Sequence, residues 1–228
     1  MKTVAIIPAG GKGLRFSPRG EKKQFVEVGG APLIVHTLRA VQASPLVDGI
    51  ILVVPEEDRE WLTERLASYG VEKVKSIVPG GAHRQDSVWA GIRVADEDAD
   101  ILMIHDGARP LITTDIIGNI VMAAAERGAA ITAVPVTDTV KLCRPNNWVI
   151  RTLPRSEVYL AQTPQAFRRK IIVSAYEAAY GEGFYGTDDA SLVERMGVPV
   201  YVVAGSYRNV KVTTWQDLPY LRFLMSGT

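Results

Sequence analysis

The chain has 228 residues, 47% hydrophobic and 22% charged, with a formal net charge of +1. That length suits one α/β domain with a sizeable core, and the near-neutral balance leaves no overall field to draw nucleic acid or an anionic membrane. The single cysteine, Cys143, rules out an internal disulfide and a cysteine-rich metal site and reads as a free thiol in a reducing compartment.

Residues 4–7 read as a short buried strand. Pro8 and the glycines after it end the apolar opening too early for a secretory signal. Pro32, suited to a first helical turn, opens a helix to residue 41. A continuous apolar run at 50–54 is a second strand, followed by helical spacing at 56–68, where Trp61, Leu62 and Leu66 share a face. Residues 74–78 are a strand. Residues 84–95 are a helix, with Val88, Ile92 and Ala95 on one stripe. Residues 101–104 are a strand, and Thr113 or Thr114 caps the helix that carries Ile116, Ile117, Ile120, Val121 and Ala124. Residues 130–134 are a strand again.

The rhythm then changes. Pro145-Asn146-Asn147 separates two runs of strand character, 139–142 and 148–153, which reads as a β-hairpin arm. Helices at 169–180 and 188–196, strands at 200–203 and 209–213, and a final helix from Gln216 complete the chain. Asp188 and Asp189 read as a helix start favoured by the dipole.

Continuous apolar strands alternating with amphipathic helices predict an α/β fold, a Rossmann-like, mostly parallel sheet with helices on both faces and a protruding hairpin arm at about 136–160. Residues 1–228 form a single domain on this reading. No run approaches the roughly 20 apolar residues of a membrane helix. Neither a membrane nor a nucleic-acid partner is expected, and the expected compartment is the cytoplasm. Ligands in such sheets sit beyond the carboxyl ends of the strands, which directs attention to residues 8–23, 79–87, 105–110 and 135–141.

The first of these is Pro8-Ala9-Gly10-Gly11-Lys12-Gly13-Leu14-Arg15. Glycines let backbone N–H groups approach phosphate oxygens, and Lys12, Arg15, Lys22 and Lys23 bring cations. Two familiar phosphate loops do not fit. A Walker loop needs Ser or Thr after its lysine, but Gly13 follows Lys12, and Ile6 occupies the first glycine position. A dinucleotide fingerprint starting at Gly11 and Gly13 meets Phe16 where its third glycine belongs. A tight βα turn without a ligand is the plain alternative for this stretch alone.

Lys23-Gln24-Phe25 follows the loop, and six further ordered motifs narrow the reading. Then come Gly80-Gly81-Ala82-His83-Arg84-Gln85-Asp86-Ser87-Val88, His105-Asp106-Gly107-Ala108-Arg109-Pro110, Pro135-Val136-Thr137-Asp138-Thr139-Val140-Lys141, Gln162-Thr163-Pro164-Gln165, Thr187-Asp188-Asp189-Ala190-Ser191 and Asn209-Val210-Lys211-Val212-Thr213. Together with the glycine loop they resemble, over nearly the whole chain, the cytidylyltransferases that act on 2-C-methyl-D-erythritol 4-phosphate in the non-mevalonate isoprenoid pathway.

The resemblance implies that Ala9, Gly10, Gly11, Gly13 and Ser87 bind CTP, with Gly81 at the cytosine. It implies that Arg15 and Lys23 stabilise charge on the α-phosphate, with Lys22 the other register for that lysine. Arg155 and Lys211 would position the acceptor, helped by Thr139 and Arg109. Asp106 would lie near the acceptor hydroxyls and the metal, which is magnesium. The family is a homodimer whose arm crosses to the neighbour, so Thr139 and Arg155 would serve the partner's site. Gly107 stands where alanine is more usual, a sterically mild exchange, and Arg208 stands where an acidic residue often precedes the asparagine.

In such a reaction the acceptor phosphate attacks the α-phosphorus and pyrophosphate leaves. The attacking group is already an anion, so no strong base is required. The obstacle is repulsion: two unit charges at about 4 Å oppose each other by roughly 4 kcal/mol at an effective dielectric near 20. His36, His83 and His105 accordingly read as structural. Other readings stay open: a ribitol 5-phosphate cytidylyltransferase, a non-catalytic nucleotide-binding domain, and a Rossmann oxidoreductase.

Overall fold

The computed structural model describes residues 1–10, 16 and 22–226. In chain order the elements are β1 (Thr3–Pro8), β2 (Glu27–Val28), β3 (Ala31–Pro32), α1 (Leu33–Gln42), β4 (Gly49–Val54), α2 (Arg59–Arg65), β5 (Val74–Pro79), α3 (Arg84–Val94) and β6 (Ile101–Ile104). They continue with α4 (Thr114–Arg127), β7 (Ala129–Pro135), β8 (Lys141–Cys143), β9 (Val149–Thr152), β10 (Tyr159–Arg168), α5 (Arg169–Gly181), α6 (Asp189–Arg195), β11 (Tyr201–Ala204) and α7 (Asp217–Met225).

Seven strands form the central sheet in the order β11-β7-β10-β6-β1-β4-β5. Successive side chains of a strand point to opposite faces, and both faces are apolar here. Ala5 and Ile7 of β1 pack with α1, α2 and α4, whereas Val4 and Ile6 pack with α3, α5 and α6. This double covering is why the strands read as unbroken apolar runs rather than alternating ones. A third, smaller cluster of Phe16, Val28, Leu33, Ala108, Val212, Leu218 and Leu221 seats α7 on the loops.

The parallel pairs β1–β4, β1–β6, β4–β5 and β7–β11 follow the predicted α/β alternation. β10 does not. It runs antiparallel between β6 and β7, with a register shift between Ala161 and Gln165. The sequence reading assigns no strand there; Pro164 falls at the irregularity, where a strand tolerates a residue without an N–H.

The converse correction applies to 209–213. Its alternating apolar residues read as a strand, but it forms no ladder. It is a loop, pinned by Val212 N–H to the Ala108 carbonyl (2.9 Å) and by the Asn209 side-chain amide to the Thr163 carbonyl (2.9 Å). The run 56–68 also divides into a 3-10 turn, the short α2 and a second 3-10 turn. Thr113, not Thr114, caps α4, accepting from the Ile116 N–H at 3.3 Å.

The arm is the connection between β7 and β10. Its base is the Pro135–Tyr159 pair, and its tip is the short β8–β9 ladder. Its apolar side chains stand in the open: Trp148 is 72% exposed, and Leu142, Val149, Ile150 and Leu160 are also exposed.

Candidate active site

The carboxyl ends of β1, β5 and β6 converge on one cleft. Pro8, Ala9 and Gly10 form one wall, Gly81 to Arg84 with Ser87 another, and Asp106, Gly107, Ala108, Lys23, Gln24 and Lys211 close it. The first wall is held by Ala9 N–H donating to the Val53 carbonyl at 2.7 Å. The second depends on two glycines: a Cβ on Gly80 would lie 2.8 Å from Ser87 Oγ, and one on Gly81 would collide with Cβ of Asp86. Without side chains there, Ser87 Oγ accepts from Gly81 N–H at 3.2 Å and donates to the His83 carbonyl at 3.1 Å. Gly107 is less permissive than expected, since an alanine Cβ would come within 2.8 Å of Ile34 Cδ1 and 3.0 Å of Ala9 Cβ.

Asp106 is the electrostatic centre of the cleft. Its Oδ1 accepts from Arg84 Nε at 3.1 Å, its Oδ2 lies 2.6 Å from Lys211 Nζ, and Arg109 Nε stands 3.8 Å away. Burial works to raise its pKa, but the charges of Arg84, Lys211 and Arg109 outweigh that and hold the carboxyl well below the usual range. It is an anion throughout the neutral range.

A neutral relay orients this aspartate from behind. Asp106 N–H donates to Thr163 Oγ at 3.0 Å, and Thr163 Oγ lies 3.2 Å from His105 Nδ1. Having accepted once, the threonine hydroxyl directs its own proton to Nδ1, which leaves Nε2–H to donate to the Arg109 carbonyl at 3.1 Å. Burial pushes His105 down to about 4, against these hydrogen bonds, so its imidazole is neutral. The histidine is structural, as read from the sequence.

Adjacent lysines diverge. Lys22 Nζ is bonded to Asp58 Oδ1 at 2.6 Å and Glu57 Oε1 at 3.0 Å. Lys23 lines the cleft, with Nζ 3.3 Å from the Val212 carbonyl. Of the other expected site residues, Ala9, Gly10, Gly81, Ser87, Asp106 and Lys211 share the cleft. Arg109 lines a neighbouring groove that also includes Lys211, and donates to the Asn209 carbonyl at 2.6 Å. Thr139 and Arg155 sit exposed on the arm and line neither. Arg155 donates to the Thr137 carbonyl at 2.9 Å. Gly11, Gly13 and Arg15 lie outside the described residues.

The family model of 2-C-methyl-D-erythritol 4-phosphate cytidylyltransferase matches residues 3–226. The chain belongs to that family. It is 48% identical over 218 residues to the 2-C-methyl-D-erythritol 4-phosphate cytidylyltransferase of Syntrophus aciditrophicus, covering 95% of this chain and 93% of that one. It is 45% identical over 225 residues to the enzyme so named from Shouchella clausii, covering 99% and 97%. Its fold superposes on the crystal structure of 4-diphosphocytidyl-2C-methyl-D-erythritol synthase from Anaerococcus prevotii with a TM-score of 0.88 and 31% identity, covering 99% and 96% of the two chains.

In this cytidylyltransferase-family chain, residues in and around the cleft include some that sequence reasoning did not assign to it. Arg84, read as a helix opener, bridges Asp106 to the buried Asp189. Thr163, inside a motif but without a role, sets Asp106. Only the nearness of Gln162-Thr163-Pro164-Gln165 to the other motifs hinted at it. Arg208, whose position was unexplained, donates to the Leu224 carbonyl near the end of α7 at 2.9 Å. Among the described residues there is no group of three or more metal-binding side chains. Each oxygen of Asp106 keeps one acceptor position spare, so this single carboxylate could contact a metal.

Proposed function

We propose that this chain transfers the cytidylyl group of CTP to 2-C-methyl-D-erythritol 4-phosphate, releasing pyrophosphate and giving 4-diphosphocytidyl-2-C-methyl-D-erythritol. One observation carries the reading: a family chain that gathers Ala9, Gly10, Ser87, Lys23, Asp106 and Lys211 in a single cleft at the carboxyl edge of its sheet. On this reading the chain works as one nucleotidyltransferase domain. The backbone of Ala9, Gly10, Gly11 and Gly13 cradles the triphosphate, and Gly81 and Ser87 border the cytosine.

Catalysis is then charge stabilisation and positioning. Lys23 and Arg15 offset negative charge at the α-phosphate. Lys211 leaves Asp106 to hold the acceptor, assisted by Arg109. Asp106 faces the acceptor hydroxyls. Magnesium is the expected cation; it would neutralise the triphosphate. Mg²⁺ keeps several waters and takes most of its other ligands from phosphate, so a single carboxylate such as Asp106 suits it.

Two features support a homodimer joined through the arm. The arm exposes a contiguous set of apolar side chains, and Thr139 and Arg155 lie on it away from their own cleft. In a dimer they complete the neighbour's acceptor site. No helix among the described residues is long and apolar enough to cross a membrane. The exposed free thiol of Cys143 suits the reducing cytoplasm.

The test is pyrophosphate release from CTP and magnesium, with methylerythritol phosphate and ribitol 5-phosphate run in parallel. Turnover is expected with the first. Turnover with ribitol 5-phosphate alone, or CTP binding without turnover, overturns the reading.

A further inference from the structure

Behind the cleft, charges alternate along a chain of contacts. Lys211 meets Asp106, Asp106 meets Arg84, and Arg84 meets Asp189. The contacts at Arg84 are unequal. One N–H, from Nε, goes to Asp106 at 3.1 Å. Both terminal nitrogens go to Asp189, Nη1 to Oδ1 at 3.1 Å and Nη2 to Oδ2 at 2.8 Å. That two-pronged geometry fixes the plane of the guanidinium, which a single contact cannot do.

Asp189 is itself immobilised. It is 1% exposed, and its Oδ1 accepts from the buried Tyr176 hydroxyl at 2.6 Å. It begins α6, whose cap Asp188 accepts from Gln165 Nε2 at 2.8 Å, while Gln165 Oε1 accepts from Ala190 N–H at 3.0 Å. Gln165 lies two residues from Thr163 on β10, so one strand braces the segments that carry both carboxylates bridged by Arg84.

We propose that Asp189 is a positioning residue for cytidylyl transfer. It anchors Arg84 so that Arg84 holds Asp106 in place while Lys211, bound to Asp106 by one contact, is free to move to substrate. The inference deepens the proposed function and rests on it. Without Asp189, Arg84 is an untethered cation at the edge of a polyanion site. It turns toward phosphate, and Asp106 loses its fixed setting. CTP binding is then kept or strengthened while turnover is lost, a pattern that general loosening of the fold does not give.

Asp189→Asn tests this. The substitution keeps the shape but sets an amide NH₂ against a guanidinium N–H, donor facing donor. Assayed below its melting temperature, the variant is expected to lose about 10²-fold in kcat, in line with a small misplacement of a reacting geometry, with KM for CTP unchanged or lower. In an Arg84→Met background the same substitution is expected to cost almost nothing more. Unchanged kcat, or losses that multiply, overturns the proposal. Should Asp189→Asn not fold, Arg84→Lys decides: a lysine cannot fork onto Asp189 and hold Asp106 together, so full kcat in that variant is equally fatal.

A second readout needs no turnover. In protein labelled with ¹⁵N-arginine, the Nε–H signal lost in Arg84→Lys is expected to exchange slowly with solvent in wild type and rapidly in Asp189→Asn. Equal exchange overturns the anchoring. Wild type that gives no pyrophosphate refutes the proposed function instead, and the exchange result still judges the anchor.

Discussion

Lys22 and Lys23 are chemically identical neighbours put to different uses. Lys22 is occupied by Asp58 and Glu57 outside the cleft, and Lys23 faces into it. Lys23→Ala is expected to lower kcat by about 10²–10³, the usual cost of removing one well-placed stabiliser of transition-state charge. Lys22→Ala is expected to leave kcat within a few-fold and to cost about 0.2–1 kcal/mol of stability. Steady-state pyrophosphate release and urea titration of both variants check this.

His105 supplies a pH signature. Its folded pKa, about 4, lies below the 6.5 of an unburied histidine. Between these values the unfolded chain holds more protons, so acidification favours unfolding. The contribution is fully present above pH 6.5 and gone below about pH 4, and it amounts to about 3 kcal/mol across that window. Unfolding free energies of wild type and His105→Gln between pH 7.5 and 4.5 are expected to show the steeper acid loss in wild type.

At the level of elements, what could be read from the residues depended on whether an element carries its own signal. β1, β4 and β6 are covered on both faces, so their apolar runs were visible without partners. The cap of α4 was visible too, to within one residue. Thr113→Ala is expected to cost about 1 kcal/mol in urea unfolding with no change in kcat. β10 was hidden because Pro164 argues against a strand and because an antiparallel insertion depends on β6 and β7, far away in sequence. Residues 209–213 misled in the other direction: Val210 and Val212 alternate with polar residues as in a strand, but Val212 packs into the cluster under α7 instead of a sheet.

The site divides the same way. Ala9, Gly10 and Asp106 stand in motifs just past strand ends, and Ser87 in the first turn of α3 just after β5, where topology gathers them; Lys211 is brought in by the loop at 209–213. Asp189 could not be placed behind the cleft from the sequence, since an aspartate at a helix start is ordinarily solvated, and only the packing of α6 against α5 buries it beside Arg84.

For the molecule as a whole, the proposed dimer turns on the arm. Among the described residues nothing buries Trp148 and its apolar neighbours, and Arg155 and Thr139 are not among the residues that line the cleft. Trp148→Glu is expected to convert the proposed dimer to monomer in sedimentation velocity. The acceptor KM should rise while CTP affinity is nearly unchanged, because in the proposed dimer the arm residues Thr139 and Arg155 serve the acceptor half of the neighbour's site.

The insertion of β10 also sets an order of events during synthesis. As the chain leaves the ribosome, β1, β4, β5 and β6 emerge by residue 104 and can pair at once. β7 follows by residue 135 but has no neighbour to receive it, because the place beside β6 belongs to a strand that ends at residue 168. Until then β7 and the apolar arm wait unpaired, and β6 presents an open edge. Hydrogen-exchange pulses during refolding are expected to protect amides of β1 and β4 before those of β7 and β11. The half-made protein is most exposed to aggregation in that interval.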